Sequence, residues 1–221
     1  MSTYLYFNAA ISLLSFIGFI YGIVTAIKKK NKALYYIMIV ASVGTTAFSR
    51  LYEAVYMWIA EEYFDGFHIG LIGNVASFLF IFTANFGAMD SLGDDKTPRF
   101  RKYRIIALAA PAAVALLYVP IILSDAVVLI KISYGVIYLV MMFSSYYNLK
   151  HLILPDVDYG IIKCIKGYNL IMLCFTLLFA LERIALVHDL DPLLYIASGG
   201  MAIASFLTIP VLKRGALKWT I

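Results

Sequence analysis

Seven long apolar runs constrain the fold of this chain more than any other feature of its sequence. A helix needs about 20 mostly apolar residues to cross the hydrocarbon core of a bilayer, where only helices and closed barrels satisfy every backbone polar group. Hydrophobic residues make up 63% of the 221 residues and charged residues 14%, against about 45–50% and about 25% in soluble domains. We therefore predict an all-α integral membrane protein in which residues 1–221 form one transmembrane domain, a seven-helix bundle. The predicted helices are approximately 5–27, 33–59, 69–89, 104–123, 126–148, 168–188 and 192–212.

Lysine and arginine are distributed unevenly over the connections between these helices. The links after the first, third, fifth and seventh helices are basic, beginning with the run from Lys28 to Lys32. The links at 60–68, 124–125 and 189–191 contain no lysine or arginine and carry acidic residues instead. Short loops rich in lysine and arginine stay in the cytoplasm. We predict an external amino terminus, a cytoplasmic carboxyl terminus and a multi-pass location in the cell membrane. The formal net charge of +5 then indicates contact with the anionic inner leaflet of the lipid bilayer and not with nucleic acid.

Two charged pairs interrupt the predicted helices. Arg50 and Glu53 lie in the second run, and Glu182 and Arg183 lie in the sixth. At about 1.5 Å per residue they lie roughly 8–14 Å below the outer helix ends, where a charge costs roughly 2.5–3.5 kcal/mol. Lys131 has a similar depth in the fifth run. With a formal sum of +3 − 2 = +1, the five are predicted to line an outward-facing pocket for a small anionic ligand. Asp125, or extension of the Lys131 side chain to the outer interface, would also meet the surplus charge. The alternative is a structural clamp, in which each arginine pairs with the glutamate of the other helix. Because Glu182 and Arg183 are adjacent, their side chains are expected to diverge by about 100° and not to face one spot.

A second candidate site lies in the predicted external loops. His68 and the acidic residues of 61–65 belong to one loop, and His188, Asp189 and Asp191 belong to another. If the helices that carry them are neighbours, two histidines and several carboxylates meet, and these are ligands that zinc or a similar divalent ion prefers. No HExxH or similar local motif accompanies them, so a solvated acidic rim is the alternative interpretation. No cofactor is predicted.

Two parts of the chain resemble each other. Residues 76–79 and 204–207 both read Ala-Ser-Phe-Leu, and the charged second and sixth runs begin with Tyr35 and Tyr168. Both copies would run in the same direction, with the fourth helix as an inverting linker, which predicts a parallel 3+1+3 repeat of a kind found in transporters. In layout the chain resembles the seven-helix sugar facilitators, and in length and topology it resembles the seven-helix sensor regions of bacterial and archaeal signalling proteins. No motif carries either resemblance further. The seventh run also lacks the central lysine of a retinal Schiff base.

Several functions stay open on these features. The first is a membrane sensor or ligand-binding module, a receptor whose basic loops contact a partner membrane protein. The second is a small-solute or ion transporter built on the repeat. An accessory subunit of a membrane complex and an intramembrane lipid-modifying enzyme are the remaining alternatives. The chain contains no Walker A, GxSxG or CxxCH motif, which favours a role other than catalysis. A GxxxG pattern from Gly18 to Gly22 predicts close helix packing, either within the bundle or in a homodimer.

Overall fold

Eight α-helices account for most of the residues that the structure describes. A computed structural model describes residues 2–28, 33–61, 67–90, 94, 96–155 and 161–216, and these contain no β-strand. The helices are α1 (Ser2–Lys28), α2 (Leu34–Ala60), α3 (Ile69–Thr83), α4 (Arg101–Ala107), α5 (Ala109–Leu123), α6 (Val128–Ile153), α7 (Ile161–Val187) and α8 (Asp191–Ala216). Seven spans are long and apolar enough to cross a membrane, and α4 and α5 together form the fourth, Pro98–Leu123. The predicted all-helical bundle with seven candidate spans is confirmed.

Successive spans are joined by short connections, and all but the third and fourth pack directly against each other, so their directions alternate. Alternate connections therefore meet at the same end of the bundle. We call the end that carries Lys28, Lys163 and Lys213 the basic end, and the end that carries Asp125 and Asp189 the acidic end.

The helices extend beyond the apolar runs mainly at the basic end. The sixth helix ends at Ile153 where hydropathy predicts 148, and α7 is helical from Ile161 where hydropathy predicts 168. Lysine and arginine are good helix formers, and they keep their aliphatic stems along apolar surface while the charged group reaches water. Helix formation therefore continues past the point where mean hydropathy falls.

The second helix lies at the centre of the bundle and the fourth span at its edge. Within the apolar stretch of each span, 61% of the residues of α2 are buried, but only 17% of those of Pro98–Leu123 are. Helix α2 packs against α1 and α3, α8 packs against α7 and α1, and α5 packs against α6 and α7. Side chains placed on α2 and α7 therefore point into the interior, whereas much of α5 faces outward.

The GxxxG pattern of α1 faces α2 inside the bundle. A Cβ on Gly22 would lie 2.7 Å from Cγ2 of Val40, and one on Gly18 would lie 3.5 Å from Cγ1 of Val43. Small residues allow this approach because no side chain separates the two backbones. In the structure the pattern serves packing within the bundle, which is the first of its two predicted uses.

The third helix changes its winding before it ends. It is α-helical to Thr83 and continues as a π-helical segment, Ala84–Asp90, where the sequence predicts one α-helix to residue 89. The wider winding of a π-helix is rare and is frequently found at functional sites. Here it carries Asn85 and Asp90 against α6, in contacts described below.

Candidate functional site

The four charges predicted inside the membrane form one buried cluster, the charged cluster, of Arg50, Glu53, Glu182 and Arg183. Each of these residues is at most 3% exposed. Arg50 donates two parallel hydrogen bonds to Glu182, from Nη2 to Oε2 at 2.7 Å and from Nη1 to Oε1 at 3.1 Å. Such a bidentate pair is the strongest geometry for a guanidinium and a carboxylate. It joins the two central helices, α2 and α7.

The other two members close the charged cluster. Arg50 Nη1 donates to Glu53 Oε2 at 3.2 Å, and Arg183 Nη2 donates to Glu182 Oε2 at 2.9 Å. Arg183 Nη2 is also 3.7 Å from Glu53 Oε2. Glu182 and Arg183 were expected not to face one spot. That prediction is wrong, because the long arginine side chain turns back to the carboxylate of its neighbour.

Neutral side chains from three further helices complete the coordination. Asn8 of α1 accepts a hydrogen bond from Arg50 Nη1 at 2.9 Å. Asn74 of α3 donates to Glu53 Oε1 at 3.1 Å, and Ser198 of α8 donates to Glu182 Oε1 at 3.0 Å. Five helices thus converge on the charged cluster. The sequence did not single out Ser198, because a serine within an apolar helix is common and carries no signal of its own.

An aromatic ring lies against both arginines. The Cζ atoms of Arg50 and Arg183 are 5.3 and 4.6 Å from the ring centroid of Phe179. A desolvated guanidinium over an aromatic face gains about 2 kcal/mol. The ring therefore stabilises the cationic half of the cluster on the side where no carboxylate lies.

The charged cluster is closed toward the acidic end. A small apolar group, Tyr4, Met57, Ala185 and Leu194, forms its own buried cluster there. Tyr4, Met57 and Leu194 lie four residues, about one helical turn, from the cluster's Asn8, Glu53 and Ser198, and Ala185 lies two residues beyond Arg183. The charged cluster is therefore covered at this end of the bundle, and the outward-facing pocket for an anion stays a prediction.

Lys131, the fifth predicted member of the charged layer, makes its hydrogen bond elsewhere. Its Nζ donates to the backbone carbonyl of Ser124 at 2.6 Å, at the acidic end of the bundle. The charged cluster without it has a formal charge of 2 − 2 = 0. The charge balance of this group therefore supplies no surplus cation for an anionic ligand.

His68 acts as the amino-terminal cap of α3. Its Nδ1 accepts a hydrogen bond from the backbone N–H of Leu71 at 3.2 Å, and its ring stacks on Tyr52 with centroids 5.9 Å apart. Burial lowers the pKa of His68 below its usual value, although the carboxylate of Glu53 opposes this shift. A neutral imidazole is what this capping bond requires, since a protonated Nδ1 cannot accept.

The other predicted metal ligands do not join His68 in a metal site. His188 donates from Nε2 to the carbonyl of Pro120 at 3.2 Å, Asp189 is an exposed residue with a φ of 52°, and Asp191 opens α8. Glu62 and Asp65 lie outside the described residues. Within the described part of the chain, no three His, Cys, Asp or Glu side chains are close enough together to hold a metal ion.

A cavity lined by hydroxyl groups, the hydroxyl cavity, lies on the basic-end side of the charged cluster. Its polar lining consists of Ser15, Ser42, Thr46, Ser77, Ser205 and Thr208. The Ser77 hydroxyl is 2.9 Å from that of Ser42 and 2.7 Å from that of Thr46. The buried Oγ atoms of Ser15 and Ser205 have no hydrogen-bond partner among the described residues. The space available to the centre of a water molecule is about 10 Å³, which is enough for about one water.

A second cluster of charges, the basic-end cluster, joins α6 to the segment after α3. Lys150 donates from Nζ to Asp90 Oδ1 and, at 2.7 Å, forms an ion pair with Asp94 Oδ2. Arg104 donates from Nη1 to Asp94 Oδ1 at 2.7 Å. Burial disfavours ionisation of Asp90, but the neighbouring His151 and the ammonium group of Lys150 outweigh it, so the pKa of Asp90 lies below its usual value. The sequence analysis placed Asp90, Asp94 and Lys150 in connections and Arg104 at the start of the fourth helix, and it missed the cluster.

A chain of buried polar groups leads from the basic-end cluster into the bundle. His151 Nδ1 donates to Asn85 Oδ1 at 3.0 Å, and Asn85 Nδ2 donates to Asn148 Oδ1 at 2.8 Å. The three side chains are fully buried. The π-helical winding of Ala84–Asp90 brings Asn85 to this position. The polar interior thus includes groups near both ends of the bundle.

Comparison of the chain with protein-family models, with curated proteins and with solved structures finds no match.

Proposed function

We propose that this chain is a multi-pass protein of the cell membrane whose amino terminus is external and whose basic end lies in the cytoplasm. The proposal is supported by the separation of charges: the connections at the acidic end carry no lysine or arginine, whereas every connection at the basic end does. The positive-inside rule converts this separation into an orientation.

We further propose that the protein is a sensor-type ligand-binding module, in which a small anion binds by replacing Glu53 at the two arginines. The observation that carries the proposal is the neutral, fully buried charged cluster. An added anion has no surplus cation to pair with, so it binds only in exchange for an internal carboxylate. Glu53 is the more weakly held of the two: its ion pairs measure 3.2 and 3.7 Å, against 2.7 and 2.9 Å for Glu182.

Release of Glu53 would couple ligand binding to a movement of helices. Glu53 is hydrogen-bonded to Asn74 of α3. A Cβ on Gly70 would lie only 2.9 Å from Cγ of Glu53, so α3 packs directly on this side chain. A ligand shifts a conformational equilibrium only by its difference in affinity for the two states. Exchange of Glu53 for the ligand supplies such a difference in affinity, because the arginines are exposed to the ligand in the conformation in which Glu53 is released.

Energetics also favour a functional interpretation of the charged cluster. Replacing a buried ion network by apolar residues of similar size is often neutral or stabilising by about 1–4 kcal/mol. A membrane protein that needed only to hold α2 against α7 would do so with apolar packing. The cluster is therefore better explained by exchange with a ligand than by stability alone.

Thermal unfolding of the purified protein in detergent tests this proposal with acetate, succinate and inorganic phosphate as probes, at matched ionic strength against chloride. Glu53→Gln leaves a net positive charge at the arginines, so we expect the probe anions to raise its unfolding midpoint more than that of the wild type. Glu61→Gln, at the exposed end of the same helix, is the matched control and should respond like the wild type. If no probe anion shifts the midpoint of either the wild type or Glu53→Gln, the exchange proposal fails.

A small-solute transporter is the second candidate, and the hydroxyl cavity favours it. The cavity lies between the charged cluster and the buried polar groups Asn85, Asn148 and His151. The residues that suggest the 3+1+3 repeat also meet in pairs: Ser77 and Ser205 both line the cavity, and the rings of Tyr35 and Tyr168 are 5.8 Å apart. Flux of a labelled carboxylate into proteoliposomes tests this function. Transport through the cavity should be blocked by Ser205→Leu, whereas a sensor should show no flux at all.

A further inference from the structure

A cavity between α5, α6 and α7 opens on the outer surface of the bundle. Its volume is about 230 Å³. Ala109 and Leu177 line it and are exposed, whereas Val114 and Thr176 line it and are fully buried. The cavity therefore runs from the lipid-facing surface toward the interior. It is separate from the charged cluster and from the hydroxyl cavity.

The wall of this cavity offers alkyl groups and no free hydroxyl. The two hydroxyl residues in its lining are used by their own helices: Ser145 donates to the carbonyl of Met142 at 2.9 Å, and Thr176 donates to that of Met172 at 2.7 Å. An apolar cavity of about 150 Å³ is sufficient to bind benzene. The larger volume here, at membrane depth, fits a segment of hydrocarbon chain.

Two lysines lie between this cavity and the basic end. Lys102 precedes Ala109 by seven residues, and Lys166 precedes Leu173, another lining residue, by seven. Seven residues are two helical turns, so each lysine shares a helix face with the cavity wall about 10 Å farther along. The backbone between α4 and α5 remains helical at Leu108, with φ −64° and ψ −15°, and so this face is continuous.

We propose that this cleft binds an anionic glycerophospholipid, with one acyl chain in the cavity and the phosphate at Lys102 and Lys166. The apolar wall selects the chain, and the two ammonium groups select the charge of the headgroup. A basic side chain near an anionic headgroup strengthens binding about fivefold. The fourth span is the least buried of the seven. The bound lipid packs against its exposed surface. The proposal is independent of the function of the charged cluster.

Quenching of tryptophan fluorescence by lipids with brominated acyl chains tests this site. The reporter is Leu177→Trp in a protein whose Trp58 and Trp219 are replaced by phenylalanine, reconstituted into nanodiscs. The matched reporter is Leu207→Trp, since Leu177 and Leu207 are both 39% exposed. We expect brominated phosphatidylglycerol to quench the Leu177→Trp reporter at about five- to twentyfold lower mole fraction than brominated phosphatidylcholine. The Leu207→Trp reporter should show no such difference.

Two sets of substitutions then separate the headgroup from the acyl chain. Lys102→Gln with Lys166→Gln should remove the preference for phosphatidylglycerol and leave quenching by phosphatidylcholine unchanged. Ala113→Leu, which fills the cavity, should lower quenching by both lipids at the Leu177→Trp reporter. Equal quenching by the two lipids at that reporter overturns the proposal. A preference that survives the double lysine substitution, or quenching that is insensitive to Ala113→Leu, also overturns it.

Discussion

Arg50 combines full burial with four polar partners. Its terminal nitrogens donate to Glu182, Glu53 and Asn8, and Nη1 also lies 3.4 Å from the hydroxyl of Tyr4. Removing one partner of a buried ion pair costs about 3–5 kcal/mol, because the other charge stays in a medium of low dielectric constant. Each member of the charged cluster is therefore sensitive to truncation even though the cluster as a whole adds little stability.

Asn169 and Asn148 are both fully buried but differ in their partners. Both side-chain atoms of Asn169 lack a hydrogen-bond partner among the described residues, whereas Asn148 bonds to Asn85 and Ser144. An unpaired buried polar group costs about 1–3 kcal/mol, and its replacement by an apolar group of similar shape is neutral or stabilising. We expect Asn169→Leu to raise the unfolding midpoint in detergent and Asn148→Leu to lower it. If both substitutions lower it equally, the Asn169 amide has a partner that these contacts do not include.

The sequence predicted the members of the charged cluster but not its net charge. Arg50, Glu53, Glu182 and Arg183 were found because a charge inside an apolar run has few ways to be satisfied. Lys131 has the same hydropathic context, yet it reaches a carbonyl at the acidic end. A lysine stem can extend toward water or toward the interior, and the sequence contains no information that chooses between them.

Two glycines of α8 have opposite surroundings. A Cβ on Gly215 would fall on the backbone carbonyl of Cys164, whereas one on Gly199 would lie 3.7 Å from Phe7 Cε1, an ordinary contact. Alanine is favoured over glycine in a helix by about 1 kcal/mol. We expect Gly199→Ala to maintain or raise the unfolding midpoint, and Gly215→Ala to lower it, because a backbone atom cannot move aside without separating α7 from α8. Equal midpoints for the two variants would contradict this close approach.

The π-helical segment Ala84–Asp90 ends on a carboxylate that α6 stabilises in its ionised form. Burial would raise the pKa of Asp90, but the neighbouring His151 and the ammonium group of Lys150 outweigh it, so this pKa lies below its usual value of 3.8. A lowered folded-state pKa means that this contribution to stability is present above about pH 3.8 and is lost as the pH falls through the folded-state value. We expect the unfolding midpoint to fall less steeply between pH 5 and pH 3 in Asp90→Asn than in the wild type. Asp125→Asn, at an exposed position, should keep the wild-type slope, and an unchanged slope in Asp90→Asn would contradict the assignment.

The existence of the helices was predictable from hydropathy, but their ends and irregularities were not. The composition of the Ala84–Asp90 segment does not predict a π-helix. Its winding accompanies tertiary contacts of Asn85 and Asp90 with α6. The basic-end cluster was missed for a related reason. Asp94 and Lys150 are 56 residues apart, and only the packing of α3, α4 and α6 brings them together.

At the scale of the molecule, composition predicts the number of spans but not which spans are neighbours. All seven candidate spans are apolar enough to cross a membrane, and ridges of aliphatic side chains pack in several arrangements. In the structure, Arg50 and Glu182 link α2 to α7 across the bundle through a bidentate pair of hydrogen bonds. Charged side chains limit such choices more strongly than apolar ones, because a wrong neighbour leaves a charge unpaired.

The orientation of the whole bundle is testable by chemical labelling in cells. Cys164 and Cys174 are both free, so a cysteine-free background is available by replacing them with serine. Single cysteines are then introduced as Glu61→Cys at the acidic end and Lys96→Cys at the basic end, both at exposed positions. Because short basic connections remain in the cytoplasm, a membrane-impermeant maleimide should label Glu61→Cys in intact cells and Lys96→Cys only after permeabilisation. The reverse pattern would invert the proposed topology, and an anion arriving from outside would then reach the basic-end cluster before the charged cluster.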